Sequence, residues 1–369
     1  MTTQAEPTIP DYSGACTANL TPELIKTVMG SPTADWLPES LAGAKQIVML
    51  VLDGLGWNQL ESHSHVLPTL AAFDKRSITT VAPTTTVVGL TSLVTGRPPA
   101  AHGIVGHRVG MNGSSLDVLK WKLDGVDAEG VDPEEFQKLP AFAANEIPVV
   151  TRKMFAGTGF TKAHLQGVRM HGYTVLSSLP VEVWRLLKSG EQLVYAYYEG
   201  IDTIAHDRGF GEHYEAELYT VDRLIRDLLA GMPEGSALVV TSDHGQVDVG
   251  NRVMDLSADV ASHTDLITGE GRFRWLHAKD GEADELLEVA KAEYGELAWV
   301  KTKQEIIAEG WFGGPMSEEI SARLGDVAVI ARENIALREP GQVESHQMIC
   351  RHGSLTDDEV LVPLAVQRV

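Results

Sequence analysis

Six side chains of metal-binding type stand at or just after the ends of apolar runs. The run IVMLVL leads into Asp53 and Gly54; LVYAYYEGIDTIAH carries Asp202 and His206; ALVVTSDHG ends in Asp243 and His244; and a late CRHGS carries His352. Carboxylate oxygens and neutral imidazole nitrogens are the donors that proteins offer a divalent cation. Asp202 and His206 are four residues apart, so one helical turn puts them on a shared face where they can chelate one ion. Asp243 and His244 are adjacent and cannot share a strand face, but a tight turn lets both reach a metal. Each signal has a blander reading. An Asp–Gly after a strand is often only a turn. Asp202 and His206 can be a helix start and a satisfied face, and a lone His352 reads as a solvated loop residue. The order of the set, each member following an apolar run, is what joins them.

A candidate nucleophile lies in VAPTTTVVGLTSLVTG, residues 81–96. Thr84, Thr85 and Thr86 stand where a strand ends at Pro83 and a helix begins. A threonine hydroxyl there can cap free amides. It can equally be presented to an anion at a helix N-terminus, where amides and the dipole favour negative charge. Six ligands and one hydroxyl suffice for two sites of three protein ligands each, with Thr bridging into one and positions left open for substrate and water.

Such residues need strand ends to hold them. KQIVMLVL, LVYAYY and ALVVT are continuous apolar runs, the pattern of parallel strands buried on both faces. Helical patterns alternate with them, which predicts an α/β fold: a doubly wound, mostly parallel sheet with helices on both faces. TPELIKTVM predicts a helix opening at Thr21–Pro22, after a polar arm over about the first 20 residues. VVGLTSLVTG predicts a short helix closed by Gly96. Residues 110–190 give amphipathic pieces without a clear order. GRFRWLHA, DELLEVAKAEYG, LAWVKT and GDVAVIARE form a small α/β unit of their own. The expected organisation is a core of residues 1–255 and 341–369 with an inserted cap at 256–340.

Composition narrows the class. The chain has 369 residues, is 43% hydrophobic and carries a net charge of −21. That charge argues against binding a nucleic-acid polymer, which needs a basic face. Two cysteines, Cys16 and Cys350, cannot build a disulfide framework. With no signal-like N-terminus and no apolar run long enough to span a membrane, the expectation is a cytoplasmic protein with no membrane partner.

The ordered set (LVLDG, the Thr-rich turn into LVTGRPPAAHGI, IDTIAH, SDHG and the late HG) resembles the alkaline phosphatase superfamily. It is most similar to the nucleotide pyrophosphatase/phosphodiesterase branch. The resemblance implies an alkaline-phosphatase-like fold and two divalent ions, zinc in most of the family. Asp202, His206 and His352 would hold one ion, and Asp53, Asp243 and His244 the other. Thr86 would be the nucleophile, entering the second site and forming a phosphothreonine intermediate; Thr85 is the alternative register. The implied activity is hydrolysis of a phosphodiester or pyrophosphate bond in a small phosphorylated substrate, such as a nucleotide. One position departs from the branch. Where its asparagine donates to a phosphoryl oxygen, this chain has His107, which can also donate and, when protonated, adds positive charge. That keeps a monoesterase, phosphonate hydrolase or phosphomutase open, and an inactive metal-binding scaffold is the alternative of another class. His102 is expected to pack beneath the turn. Trp57, Tyr197 and Tyr198 receive no site role. The sequence leaves the oligomeric state open.

Overall fold

In the computed structural model, residues 6–341 and 347–369 are described. The expected return to the core at residue 341 therefore adjoins residues 342–346, which lie outside the described residues. The centre is a seven-stranded sheet. Its order is Asp74–Thr79, Leu361–Arg368, Ser236–Thr241, Gln46–Leu52, Leu193–Tyr198, Pro148–Arg152, Arg169–Tyr173. The last five in this order pair in parallel, and Leu361–Arg368 runs antiparallel to both its neighbours.

The central strand shows why the sequence folds this way. Every residue of Gln46–Leu52 after the first is buried. Ile47, Met49 and Val51 enter one apolar cluster, and Val48, Leu50 and Leu52 enter another on the opposite face. Alternation of side chains across a strand makes a continuous apolar run feed two cores. One face is covered by helices Thr17–Val28 and Thr86–Thr95, the other by Leu179–Lys188 and Glu212–Gly231. The doubly wound α/β architecture holds.

Two four-stranded sheets flank this core. Thr264–Glu270, Phe273–Ala278, Val327–Ala331 and Ala298–Thr302 form an antiparallel sheet. Helix Ala283–Tyr294 packs on one of its faces through Leu286, Ala290 and Tyr294. From the other face, Phe273, Trp275, Ala328 and Ile330 join the main apolar core. A buried ion pair also ties the two: Arg272 donates to Glu359 at 2.7 and 2.8 Å, and to the carbonyls of Glu333 and Ile335. The second small sheet, Arg108–Met111 with Ser114–Asp117, Lys122–Leu123 and Val126–Asp127, was not expected. It abuts the first sheet closely, since a Cβ on Gly110 would lie 2.6 Å from the His277 ring.

Two expectations are corrected at the N-terminus. The first described helix spans Thr17–Val28 with Pro22 inside it, so it opens four residues earlier than the Thr–Pro signal suggests. The polar arm is correspondingly shorter, because Cys16, Ala18 and Leu20 are buried in the core. Cys16 and Cys350 are both free. No helix among the described residues is long and apolar enough to cross a membrane.

Candidate metal centre and nucleophile

Three neighbouring parallel strands deliver the acidic residues at their carboxyl ends, where open α/β sheets place their ligands. Asp53 directly follows Gln46–Leu52. Asp243 and His244 follow Ser236–Thr241. Helix Gly200–Arg208, just after Leu193–Tyr198, carries Asp202 and His206. His352 follows the short strand Cys350–Arg351, which pairs with Val247–Asp248 beyond the SDHG turn.

The side chains converge. His244 Nε2 is 3.4 Å from Asp53 Oδ1 and 3.6 Å from Asp243 Oδ2. His206 Nε2 is 3.3 Å from Asp202 Oδ1, and His352 Nε2 is 3.9 Å from the same oxygen. The His244 and His352 rings stack at 3.7 Å. Asp53, Asp243 and His244 form one compact three-donor group. The other compact group among the described residues is Asp202, His244 and His352, so His244 belongs to both. His206 reaches this second group through Asp202 and lies beside it.

These residues suit cations. Oδ1 of Asp53, Oδ1 of Asp202 and Oδ2 of Asp243 are buried without a hydrogen-bond partner. A bare carboxylate oxygen in that setting is costly unless a cation or donor meets it. The histidines are oriented to match. Nδ1 of His206 donates to the Cys350 carbonyl at 2.6 Å, Nδ1 of His352 to the Thr84 carbonyl at 2.8 Å, and Nδ1 of His244 to the Gly245 carbonyl at 3.1 Å. With the proton held there, each Nε2 presents a lone pair towards the carboxylates, the tautomer a metal ligand needs.

Burial, then repulsion from Asp243 and Asp202, holds Asp53 well above the usual carboxylate range. Asp243 is raised by burial and by Asp202. Asp202 is pushed up by burial, but His206, His352 and His244 overrule this and hold it low. His352 is driven down by burial and by neighbouring His244.

Thr86 opens helix Thr86–Thr95, and its Oγ1 lies 3.1 Å from His244 Nε2. Thr85 occupies the cap position, yet its side chain caps no amide. Thr84 is committed elsewhere: it donates to the Ser354 carbonyl at 2.8 Å and accepts from the Gly353 amide at 3.0 Å. Of the three threonines, Thr86 is therefore the one whose hydroxyl reaches the ligand cluster. His102 packs beneath the turn. It is buried, accepts from the Ile104 amide at 3.1 Å and donates to Ser92 Oγ at 2.8 Å. Burial lowers its pKa to about 3.

A cavity of about 360 Å³ opens beside Thr86, Asp53 and Asp202. Leu90, Leu119, Phe155, Phe160 and Tyr197 are among its walls, and Glu199 and His164 supply polar edges. His107 does not line it. That side chain sits at the edge of the unexpected small sheet, with Nε2 3.6 Å from Asp117 Oδ1. A second cleft of about 550 Å³, lined by Asp117, Arg108, Lys120 and Lys122, lies on that side.

Two residues were missed in the sequence. Tyr197, set aside as core, donates its hydroxyl to Oδ2 of Asp53 and so leaves Oδ1 facing the cluster. Glu270 comes from the tip of the hairpin formed by Thr264–Glu270 and Phe273–Ala278, with Oε2 3.8 Å from Nδ1 of His352. Burial raises its pKa to about 7 against the opposing pull of His107 and His244. Nothing in the local pattern TGEGR marks it. Tyr198 and Trp57 take no part: Tyr198 donates to Glu217, and Trp57 lies under Lys75.

The fold and the site can be set beside known proteins. A search among curated proteins gave no match. Among solved structures, murine ectonucleotide pyrophosphatase/phosphodiesterase 5 aligns at a TM-score of 0.64 with 18% identity, covering 87% of each chain. An inactive form of that protein, solved in complex with AMP, aligns at 0.62. Phosphonoacetate hydrolase from Sinorhizobium meliloti, in complex with phosphonoacetate, aligns at 0.65 with 19% identity, covering 88% of this chain and 90% of that one. These likenesses show the fold. The sequence signature of type I phosphodiesterase / nucleotide pyrophosphatase matches residues 47–355, a span that takes in every ligand-type residue described above. The chain therefore belongs to the type I phosphodiesterase / nucleotide pyrophosphatase family of metal-dependent hydrolases.

Proposed function

We propose that this chain hydrolyses phosphodiester or pyrophosphate bonds of nucleotides, with Thr86 as the attacking group. The observation that carries this reading is the Thr86 hydroxyl, set at a helix start 3.1 Å from His244, the residue common to two groups of cation donors. Asp53, Asp243 and His244 would hold one divalent ion; Asp202, His206 and His352 would hold the other, with zinc the metal that suits a mixed Asp/His donor set. Bound there, the ions would ease deprotonation of a hydroxyl or water and offset charge on phosphoryl oxygens.

The chain's own groups supply the rest. Thr86 Oγ forms a bond to phosphorus as the bond to the leaving oxygen breaks in line. The resulting phosphothreonine is then cleaved by water, which restores the hydroxyl. The start of helix Thr86–Thr95 directs its dipole at the phosphoryl group. The largely apolar cavity beside Thr86 has room for a base-sized ring, with Glu199 and His164 as polar contacts. In this reading residues 256–340 are a cap over the core.

A second reading has its own observation. His107 stands where the branch has an asparagine donor, and its ring can donate to a more highly charged monoester or phosphonate. The test is hydrolysis of bis(p-nitrophenyl) phosphate, p-nitrophenyl phosphate and phosphonoacetate by metal-analysed protein, with and without chelator. Chelator-sensitive diester cleavage is expected. Preference for the monoester or the phosphonate would overturn the diesterase reading in favour of the second.

A further inference from the structure

One wall of the cavity beside Thr86 takes no part in the bond-breaking described above. The short helix Gly159–His164 contributes Phe160, Thr161 and His164 to that wall. His164 is only 5% exposed. Its ring lies flat against Phe160, with centroids 3.9 Å apart and planes 12° apart. Its Nδ1 is 2.7 Å from the Phe160 carbonyl. The two contacts fix the orientation of the ring and its tautomer: a carbonyl only accepts, so Nδ1 carries the proton and Nε2 carries a lone pair. Burial lowers the pKa to about 4, which keeps the ring neutral. Nε2 makes no hydrogen bond among the described residues and is not one of the buried polar atoms sealed from water, so it opens on the cavity whose wall the ring forms.

The rest of the cavity has the same polarity. Among the described residues that line it, none is a lysine, arginine, asparagine, glutamine or tryptophan. Tyr197 spends its proton on Asp53. The Glu199 carboxylate only accepts, and its Oε1 already takes a hydrogen bond from Arg152 at 2.7 Å. The hydroxyls of Tyr195 and the lining threonines can turn either way. The polar groups whose sense is fixed therefore accept. A ring edge that carries N–H groups satisfies them; an edge of bare carbon leaves Nε2 of His164 unpaired, and a carbonyl sets a second lone pair against it. We propose that His164 is a specificity contact that reads an exocyclic amino group, so that the site selects nucleotides whose base carries one. The inference rests on the reading of this chain as a hydrolase of nucleotides at Thr86. It adds which bases that site takes: amino-bearing rings, such as adenine and cytosine, over rings that lack the amino group.

The test compares two diesters with the same leaving group on metal-loaded protein. One is the p-nitrophenyl ester of AMP; the other is that of purine riboside 5′-monophosphate, which differs in lacking the amino group. The wild type should prefer the adenylate by at least about tenfold in kcat/KM. His164→Phe keeps a ring against Phe160 but removes the acceptor, and should bring the ratio close to one. His164→Gln, which keeps an acceptor oxygen, should fall between. A merely structural role would lower turnover of both esters together and leave their ratio in place. Metal content and melting temperature identify a variant that has lost its fold, and His164→Gln keeps the comparison open if His164→Phe does. A wild-type ratio near one, or a ratio that neither substitution moves, overturns the contact. If the wild type cleaves neither ester, the hydrolase reading fails on its own, and calorimetric titration with the same two esters decides the contact. Tighter binding of the adenylate supports it, and equal or absent binding overturns it.

Discussion

Stripping bound cations with chelator would leave Asp53, Asp202 and Asp243 buried together, each with one oxygen unpartnered. Burial and mutual repulsion hold Asp53 above the usual carboxylate range, so the folded state keeps its proton more tightly than the unfolded chain does. Such a group contributes stability on the acid side, and this is lost as pH rises through the folded pKa. Asp202 has the opposite sign, since its folded pKa is depressed, and its contribution is lost only as pH falls into strong acid. Comparing Asp53→Asn with the wild type isolates the first effect. The substitution keeps the shape, removes one buried charge and places an amide donor near the unpartnered Asp243 oxygen. In chelator at pH 7.5 the variant should be more stable than the wild type by about 1–3 kcal/mol. For a chain of this length that is roughly 1–4 °C in Tm. The gain should shrink towards zero near pH 4. With divalent metal the order should reverse, because the wild type gains about 4 kcal/mol at a thousandfold excess over Kd and the variant loses a ligand. Thermal unfolding followed by near-ultraviolet circular dichroism, at several pH values with and without metal, measures all of this. A variant that is less stable than the wild type in chelator at pH 7.5, yet gains as much from metal, would refute the reasoning.

Other substitutions probe neighbouring links. Tyr197→Phe removes the hydroxyl that orients Asp53 and should weaken metal binding about 10- to 100-fold, read by competition titration, with the fold intact; unchanged affinity contradicts the assignment. His107→Asn should shift the ratio of diester to monoester turnover towards diesters, and an unmoved ratio counts against a phosphoryl contact. Arg272→Met leaves the Glu359 carboxylate buried without its counter-charge and should cost about 3–5 kcal/mol in urea unfolding. A loss below about 1 kcal/mol would show that the pair does not fasten the sheet of Phe273–Ala278 to the core.

The candidate ligand residues were legible because of how parallel sheets are built. Strands buried on both faces appear as uninterrupted apolar runs, so a following Asp is conspicuous, as at Asp53 and Asp243. The Asp202–His206 spacing needed only one helical turn. Tyr197 was hidden by the same physics. In a strand buried on both sides, an aromatic that reaches a ligand looks like any core aromatic. Glu270 was hidden because it meets the site through tertiary contact from the hairpin of a separate sheet. The sharing of His244 between the two donor groups depends on ring stacking against His352, which sequence spacing does not encode. Pro148–Arg152 and Arg169–Tyr173 were missed as short strands, the second with polar and glycine residues inside it. The early helix start escaped notice because Pro22 masked a turn that Cys16, Ala18 and Leu20 anchor in the core.

The central claim is that the Thr86 hydroxyl takes up the phosphoryl group. Metal-loaded protein should be mixed with a p-nitrophenyl diester, quenched in acid within the first turnovers and mapped by peptide mass spectrometry. The account predicts a phosphorylated peptide with the modification on Thr86, absent from Thr86→Ala protein that has kept its metal. Label on Thr85, or full turnover by the Thr86→Ala protein, would contradict it.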